Sequence, residues 1–456
     1  MDWAGRRSAR GFLLRALAAL MFSLAPLAAS AQTTPAGSEL AFPGAEGWGA
    51  ATPGGRGGQI IRVTSLANAG PGTFRAAIET RGPRIIVFEV AGVIDLNRQT
   101  IRIAEPFVTV AGQTAPSPGV TLIQGGMDIA THDVILQHIR IRPGSAGAAV
   151  LSGWDEDSIS GQAGSRFIVD HCTLTWGTDE NLSASGPRFT GTTPDQWRAG
   201  TSHDITFSHN LIAEGLARST HSKGEHSKGS LIHDNVSNIL IYGNLYAHNY
   251  ERNPLFKGGV RGAIVNNLIY DPGPRAIHYN LMAEEWGDQP FQQGWMSVVG
   301  NVLRAGPSTP EQHLAFMMIG GYGDVLYHAR DNIAVDQIGR PLPMLGRYTA
   351  APARIIESAR APIWPQGLIA RPASEVQRWV LANVGARPWD RDAHDVRVIA
   401  DVAEGRGKII DSEAEVGGYP VVQERRRPFN AADWDLRTMA PLRPDVLDTG
   451  ARARGT

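Results

Sequence analysis

The sequence predicts an all-β fold of the parallel β-helix class, a solenoid in which one chain winds through stacked coils of short strands. Three observations predict it. Strand-like segments with alternating β-branched residues recur through the middle of the chain, they repeat at a spacing of roughly 20–40 residues, and few helical patterns separate them. Glycine supplies 52 of the 456 residues, which indicates many tight turns.

The repeated segment begins apolar, any residue, apolar, and often places Asn at its sixth position. A propeller blade needs about 40 residues, so the shortest repeat argues against a propeller. Asparagine suits a recurring bend, because its amide can bond the backbone of the next coil and it tolerates left-handed geometry. A β-sandwich with irregular loops remains the alternative. The aligned sixth positions are Ile139, Cys172, Asn210, Asn244, Asn267, Asn301 and Asn332.

The N-terminal segment, from Met1 to Ala31, predicts a signal peptide. Four arginines precede an apolar stretch, residues 16–27, which ends at a small-x-small motif closing at Ala31. We expect cleavage after Ala31, export to the periplasm or the extracellular space, and a polar leader over residues 32–39. An N-terminal membrane anchor is the alternative. No apolar run reaches the length of roughly 18 residues that predicts a membrane span.

The β-helix domain is expected over residues 40–375. Residues 73–80 predict a short amphipathic helix, N-capped by Thr73, that covers the open end of the solenoid. Residues 375–384 predict a second helix. We expect residues 376–456 to form a C-terminal extension, rich in Arg, Asp and Pro, that packs on the outside of the coils, and long loops to project on one side of the β-helix.

Charge and cysteine content exclude several kinds of partner and site. The chain has 43 Lys and Arg against 44 Asp and Glu, so its overall charge gives no basis for binding nucleic acid. An anionic ligand must therefore be held by a local group of basic side chains. The single cysteine, Cys172, excludes intrachain disulfides and Cys-rich metal sites, and its place in the repeat predicts a buried packing residue.

Acidic residues gather before two predicted coils. Asp155 and Asp157 would share one face of an extended strand, and Glu156 lies between them. Stacked coils can bring Asp179 and Glu180 beside them. Carboxylate oxygens are the ligands that a hard cation such as Ca²⁺ prefers. Solvated loop acids are the alternative.

A basic cluster follows in residues 218–229, which contain His221, Lys223, His226 and Lys228. The two histidines do not form an HExxH metal-protease pair. Taken by itself, this cluster is interpreted as a solvated charged loop.

A further basic pair, Arg252 and Lys257, flanks Pro254 just before two glycines that allow close approach of a ligand or a neighbouring chain. The pair is expected at the rim of a coil. The alternative is a structural salt bridge with Glu251 or another nearby carboxylate.

In this order, and on this repeat, the motifs resemble those of secreted pectate lyases of the right-handed parallel β-helix type. The resemblance runs from residue 41 to about residue 270. It rests on AFPGAEG at 41–47, GQTAP at 112–116, VDH at 169–171, WGTDE at 176–180, and RNP followed by KG at 252–258.

The resemblance implies that the protein cleaves α-1,4-polygalacturonate by β-elimination. Arg252 falls where the family places its proton-abstracting arginine. Lys228 matches a lysine that contacts a substrate carboxylate, and Lys257 takes a position that many relatives fill with a second arginine.

The resemblance also implies Ca²⁺ as cofactor. Asp157 and Asp179 match calcium aspartates, whereas a third family carboxylate is Ser183 here, so either Glu180 substitutes for it or calcium binds weakly until substrate arrives. The pair formed by Asp170 and the following histidine is interpreted as structural, holding the coils together.

A free guanidinium has a pKa above 12, so an arginine base needs neighbouring cations and a high working pH. We therefore expect an alkaline optimum. The alternatives are a pectin lyase acting on methylated substrate, a β-helix glycoside hydrolase using Asp179 and Glu180 with a neighbouring Asp as general acid and base, and a non-catalytic carbohydrate-binding solenoid. We expect a monomer whose partner is polygalacturonate or pectin and which binds neither nucleic acid nor, once the signal is cleaved, a membrane.

Overall fold

The structure, a computed structural model, describes residues 39–226, 228–311 and 314–448. The predicted signal peptide and the leader up to residue 38 lie outside these residues. Within the described part of the chain, no helix is both long enough and apolar enough to cross a membrane.

Three long sheets, here named A, B and C, make up the described body, and each coil contributes one strand to each sheet in the order A, C, B. Sheet A contains Gln59–Val63, Arg84–Phe88, Val108–Ala111, His132–Gln137, Ser165–Asp170, His203–Ser208, Ser237–Tyr242, Arg261–Val265, Gly294–Val299, Val325–Arg330 and Ile355–Glu357. Sheet B contains Ile101–Ile103, Met127–Ile129, Ile159–Gln162, Leu182–Ser185, Leu231–Ile232, Leu255–Lys257, Ile277–Leu281, Met317–Gly321 and Leu345–Arg347. Sheet C contains Val90–Asp95, Val120–Ile123, Arg140–Arg142, Thr173–Thr175, Leu211–Ala213, Leu245–Ala247, Leu268–Tyr270, Val302–Arg304 and Ile333–Val335.

Successive strands within each sheet pair in parallel, which confirms the predicted parallel β-helix. Each segment of the sequence repeat spans a bend, with a sheet A strand before the bend and a sheet C strand after it. Two long loops lie at the turn from sheet C to sheet B, one at residues 143–158 and the other at residues 214–226 and 228–230.

The interior is a set of apolar stacks in which one residue from each coil lies on the next. One such stack in sheet A is fully buried and runs through five coils, because the parallel register repeats the same inward position. Burial of such side chains contributes about 1.5–3 kcal/mol each. Cys172 is fully buried in the same interior, as predicted, and burial raises the pKa of its thiol to about 12. The stack consists of Val169, Phe207, Ile241, Ile264 and Val298.

The recurring asparagines form a ladder at the bend between sheets A and C. The Asn244 side-chain oxygen accepts from the backbone N–H of Asn210 at 2.8 Å and from its amide at 3.0 Å, and Asn267 does the same for Asn244 at 2.9 and 3.0 Å. The series continues through Asn301 to Asn332. The predicted bonding to the neighbouring coil is thereby confirmed.

The backbone conformation at this bend corrects one detail of the prediction. The left-handed residue is the one before each asparagine, not the asparagine itself. His209, Gly243 and Asn266, for example, have φ of 53°, 64° and 55°. A positive φ at that residue turns the chain out of sheet A, so the following asparagine points along the coil axis.

The described chain contains five α-helices in addition to the strands of the coils. The first is Phe74–Ile78, and its N-cap Thr73 accepts a hydrogen bond from the Ala76 N–H, as predicted. The helix expected at 375–384 is observed as Ala373–Asn383. Sequence reasoning did not identify Pro194–Ala199, Ala283–Trp286 and Ala393–Glu404. Short 3-10 helices lie at Gly112–Thr114, Glu413–Val416, Ala431–Asp433 and Pro444–Val446.

The C-terminal part of the described chain contacts the outside of the coils. The helices Ala373–Asn383 and Ala393–Glu404 bury Val376, Val380, Val398 and Val402 against the outer face of sheet C. Farther on, Arg425–Arg426 pairs antiparallel with Val90–Asp95, and Trp434–Asp435 pairs with Ala440–Pro441.

Candidate active site

The turns that lead from sheet C into sheet B lie one above another and carry most of the candidate site residues. Backbone hydrogen bonds fix their order: Ser158 N–H to Glu180 at 3.1 Å, Lys228 N–H to Asp179 at 2.7 Å, and Ser230 N–H to Arg252 at 2.6 Å. Residues far apart in sequence therefore occupy equivalent positions on successive coils.

Three carboxylates meet at these turns. One oxygen from each of Asp157, Asp179 and Glu180 lies within 4.8 Å of the others. Asp157 accepts hydrogen bonds from the Glu180 N–H at 2.8 Å and from the Ser183 hydroxyl. Ser183 therefore orients Asp157 through a hydrogen bond, whereas the family pattern has a third carboxylate at the position of Ser183. Asp155, which is about half exposed, lies outside the cluster.

The three carboxylates crowd one another. Burial, together with the charges of Glu180 and Asp179, raises the pKa of Asp157 well above its usual range. Burial also raises the pKa of Glu180 to about 7, although the Arg252 charge opposes the shift. Burial raises the pKa of Asp179 too, but contact with His226 and the Arg252 charge outweigh it and lower that pKa to about 2.

This donor set fits a hard divalent cation. All three ligand groups offer oxygen, and like charges at this separation favour a cation between them. Asp179 Oδ1 is buried without a well-aligned hydrogen-bond donor among the described residues, although His226 Nε2 lies 2.8 Å away. This oxygen therefore keeps lone pairs with which to bind a cation.

Arg252 reaches this cluster from the coil above. Its guanidinium forms an ion pair with Glu180, and its side chain remains 19% exposed. Its backbone adopts φ of 62°, a left-handed conformation that is uncommon for arginine.

Lys228 is buried beside Arg252. Its Nζ lies 2.8 Å from Glu251 and 4.5 Å from the centre of the Tyr250 ring. Burial, together with the Arg252 charge, lowers the pKa of Lys228 to about 7. Glu251 also pairs with Arg275, so its partners are Lys228 and Arg275 and not the Arg252 or Lys257 considered from sequence.

Lys257 lies apart from the carboxylate cluster, at the far end of the strand Leu255–Lys257. It forms ion pairs with Glu285 and, at 3.6 Å, with Asp234. Neither partner belongs to the cluster, so the structure brings Arg252 and Lys228 to the carboxylates but leaves Lys257 with a different acidic pair.

The loop that contains His221 and His226 differs from its sequence interpretation. The solvated-loop interpretation is wrong for both histidines and for Lys228, which are buried, and holds only for Lys223. The two imidazole rings stack at 3.9 Å, and His226 Nε2 lies 2.8 Å from Asp179 Oδ1. Two histidines five positions apart in a long loop were the available signal, but their burial depends on how the loop folds against the carboxylates.

Asp170 performs the structural role that was predicted for it. Its carboxylate accepts from Gln137 of the preceding coil at 3.0 Å and from Ser208 of the following coil at 2.7 Å, and it contacts His171 and His209 at 2.7 and 3.1 Å. These contacts lower the pKa of Asp170 well below its usual range even though burial opposes them. The carboxylate holds three coils together at a turn separate from the cluster.

The chain is similar in sequence to two proteins that carry the same name. No protein-family model matches the chain. A protein named "Probable pectate lyase C" from Aspergillus terreus is 31% identical over 389 residues, which cover 83% of this chain and 81% of that protein, and its namesake from Neosartorya fischeri has the same identity and coverage.

Solved structures share the fold. A thermostable pectate lyase superposes with a TM-score of 0.53 at 16% identity, covering 77% of this chain and 99% of the other. A pectate lyase bound to a hexasaccharide superposes with a TM-score of 0.51 at 14% identity, covering 78% and 99%. These likenesses agree with a right-handed parallel β-helix.

Proposed function

The chain belongs to the pectate lyase family, and on this premise we propose that it is a secreted lyase that cleaves α-1,4-polygalacturonate by calcium-assisted β-elimination, with Arg252 as the base. The observation that carries the proposal is the meeting of Arg252 and Lys228 with three crowded carboxylates on successive turns. A polyanionic substrate needs positive charge at one place on a protein whose overall charge is close to zero.

Asp157, Asp179 and Glu180 are the residues that would hold calcium. When bound, calcium supplies positive charge that neutralises the substrate carboxylate and stabilises negative charge developing next to it. The Asp179 oxygen without an aligned donor and the raised pKa values of Asp157 and Glu180 support this assignment, because each indicates a site short of positive charge.

Arg252 is proposed to take the proton from the carbon α to the uronate carboxylate. The C–H electron pair becomes a carbon–carbon double bond, and the glycosidic C–O bond on the next carbon breaks with its electrons on the leaving oxygen, which then takes a proton from water. General base catalysis of this kind contributes roughly 10²–10⁴-fold.

The ion pair with Glu180 opposes this role, because a paired guanidinium is held in its charged form. The base therefore requires that Glu180 turn its carboxylate towards Asp157 and Asp179, where the other ligand atoms of the cluster lie. A guanidinium loses its proton more readily at high pH, so we expect an alkaline optimum.

Lys228 and Lys257 are proposed to bind substrate carboxylates. Lys228 lies next to Arg252, and an incoming carboxylate would favour its charged form in the way that opposite charges do. Lys257 would serve a neighbouring sugar unit, after exchanging Glu285 for a substrate carboxylate.

Export is proposed from the basic residues, the short apolar stretch and the small-x-small motif that end at Ala31. A calcium-assisted enzyme with a polysaccharide substrate is expected to work outside the cytoplasm, where both are found.

The observation that favours a hydrolase is the separation of the Asp179 and Glu180 pKa values, which is typical of an acid and base pair. Their arrangement argues against it. One oxygen of each group lies within 4.8 Å of the other and of one Asp157 oxygen, so the carboxyl groups converge on one point instead of flanking a glycosidic bond.

The test is product chemistry. The mature protein is incubated with polygalacturonate, with calcium or with a chelator, while ultraviolet absorbance is followed. We expect absorbance to rise with calcium only, because elimination leaves a conjugated double bond, and the rate to peak above neutral pH.

Release of reducing ends without absorbance would instead indicate a hydrolase, and turnover of methylated pectin alone, with no calcium requirement, would indicate a pectin lyase. No turnover of either substrate would leave a binding solenoid. A bell-shaped pH profile centred near pH 5 would argue for carboxylate chemistry.

A further inference from the structure

A cavity of about 560 Å³ lies at the bend between sheets A and C and not at the turns that carry the carboxylate cluster. Its floor is the bend itself, with His138, His171 and His209 from three successive coils. Its walls come from residues 42–46 and from the C-terminal extension. The volume lies in the range of roughly 300–1,000 Å³ that is typical of small-molecule sites.

Two buried amides line this cavity with their oxygens unpaired. Gln113 and Gln137 are each only 4% exposed, and neither Oε1 has a hydrogen-bond donor among the described residues. Their NH₂ groups donate to the Met439 carbonyl at 3.1 Å and to Asp170 at 3.0 Å. Because both of those partners only accept, the amide orientations are fixed, and two buried acceptors remain for a ligand that donates.

Two histidines add further acceptors. His138 Nδ1 lies 2.8 Å from the Ala386 carbonyl, and His209 Nδ1 lies 3.1 Å from Asp170. Burial lowers the pKa of His138 to about 3 and also lowers that of His209. Both rings are therefore neutral near pH 7, with the proton on Nδ1 and a lone pair on Nε2.

Aromatic side chains complete the walls. Trp389 meets the His138 ring edge-on at 5.0 Å, and Trp379 and Tyr242 meet His209 at 5.4 and 5.5 Å. Trp389 Nε1 is buried without a hydrogen-bond acceptor in the described chain. Aromatic walls with a few fixed polar groups suit a ligand that has apolar faces and polar edges.

The charge of the cavity selects among such ligands. Asp170 and Glu46 line it, and Arg371 at its rim is the cation among the described lining residues. An acceptor-rich wall with two carboxylates disfavours an anion such as a uronate. It also disfavours a metal ion, because the Asp170 carboxylate is already engaged by four donor groups.

We propose that this cavity is a second carbohydrate site, which binds a short neutral saccharide through hydroxyl groups that donate to Gln113 and Gln137 and through pyranose rings that contact the aromatic wall of Tyr242, Trp379 and Trp389. It is independent of the lyase site and tethers the protein to neutral sugar chains.

The test is calorimetric titration of the mature full-length chain, in the presence of a chelator, with β-1,4-galactotriose and with trigalacturonate. We expect galactotriose to bind and trigalacturonate to bind at least tenfold more weakly. Gln113→Leu should weaken galactotriose binding at least tenfold. The matched control, Gln423→Leu at an exposed position, should not change it, and neither variant should change lyase activity on polygalacturonate more than twofold.

If Gln113→Leu fails to fold, Trp389→Phe keeps the ring wall but removes the unpaired N–H, and it should weaken galactotriose binding at least threefold. Three results would each overturn the proposal: no detectable binding of galactotriose at 10 mM, equal affinity for both trisaccharides, or unchanged affinity in both Gln113→Leu and Trp389→Phe.

Discussion

Two turns of the same coils use buried polar residues in opposite ways. At the bend between sheets A and C, asparagine follows asparagine, and each amide oxygen accepts two hydrogen bonds from the preceding coil. At the turn into sheet B, equivalent positions hold different charged residues: Asp157, Glu180, Lys228 and Arg252. The asparagine ladder of the first turn is repetitive and paired from coil to coil, whereas the second turn is irregular and crowds three carboxylates together.

The difference shows how a solenoid separates stability from chemistry. A repeated polar residue satisfies the same backbone groups in every coil, so it stabilises the stack. Residues that break the repeat can create a local excess of charge, as the raised pKa values of Asp157 and Glu180 indicate. A divalent cation or an anionic substrate can then relieve that excess.

The largest expected effect concerns the base. Arg252→Lys keeps a positive charge beside Glu180 but removes the proposed proton acceptor, so kcat on polygalacturonate should fall about 10³-fold, within the range for a lost general base. The measurement is the initial rate of ultraviolet absorbance increase. Arg261→Lys, on sheet A where the guanidinium stacks 3.8 Å from the Trp295 ring centre, is the control and should retain full activity. Near-normal turnover by Arg252→Lys would remove this residue from the mechanism.

The ladder bend should show the converse behaviour, with a loss of stability and little change in catalysis. Asn244→Ala leaves the Asn210 N–H and the Phe207 carbonyl without their buried partner. The free energy of unfolding should fall by about 2–6 kcal/mol, since each of these two unsatisfied buried groups costs about 1–3 kcal/mol. Denaturant unfolding measures the loss. A KM or kcat shift of more than a few-fold in the folded variant would contradict the separation of the two turns.

The crowded turn should become more stable when it loses a charge. Asp157→Asn removes a carboxylate whose pKa is raised by burial and by Glu180, and each unit of that shift corresponds to about 1.4 kcal/mol. With a chelator present, the variant should therefore unfold at a higher denaturant concentration than the wild type. Asp155→Asn, two residues away and outside the cluster, is the matched control and should not change stability. A destabilised Asp157→Asn would show that the cluster is structural.

Acidification should weaken the ladder bend through His138. Its pKa is about 3 in the folded protein and about 6.5 when unfolded, so the unfolded state binds more protons between these values. The stability that the fold has while His138 is neutral is fully present above pH 6.5 and is lost as the pH falls towards 3. From pH 7 to pH 5 the loss is about 2 kcal/mol.

Denaturant unfolding at the two pH values tests this sign. His138→Gln lacks the titrating ring, so over that range its free energy of unfolding should fall by about 2 kcal/mol less than that of the wild type. Identical pH dependence in the two proteins would show that His138 is not held neutral by the fold.

The sequence predicts the repetitive turn better than the irregular one. Asn210, Asn244 and Asn267 can be recognised in the sequence as a repeat, because every coil needs the same hydrogen bonds at the same bend. The strands of sheet B, such as Leu231–Ile232, are too short to show an alternating apolar pattern. The helix Ala393–Glu404 lies in a C-terminal region rich in charged residues, so its apolar face is not evident from the sequence.

For the site, the family motifs indicate Asp157, Asp179, Arg252 and Lys228, and the structure brings these residues together. Burial of the loop histidines and the pairing of Lys257 with Glu285 depend on how loops fold across the coils, which no local pattern records.

The central claim is that the carboxylate cluster binds calcium for the lyase reaction. The direct measurement is calorimetric titration of calcium into the Arg252→Lys protein, whose slow turnover limits interference, with trigalacturonate present. The substitution is studied alone and combined with Asp179→Asn or Asp155→Asn. We predict calcium binding that Asp179→Asn weakens at least tenfold and that Asp155→Asn leaves unchanged. Equal calcium affinity in all three proteins would contradict the account.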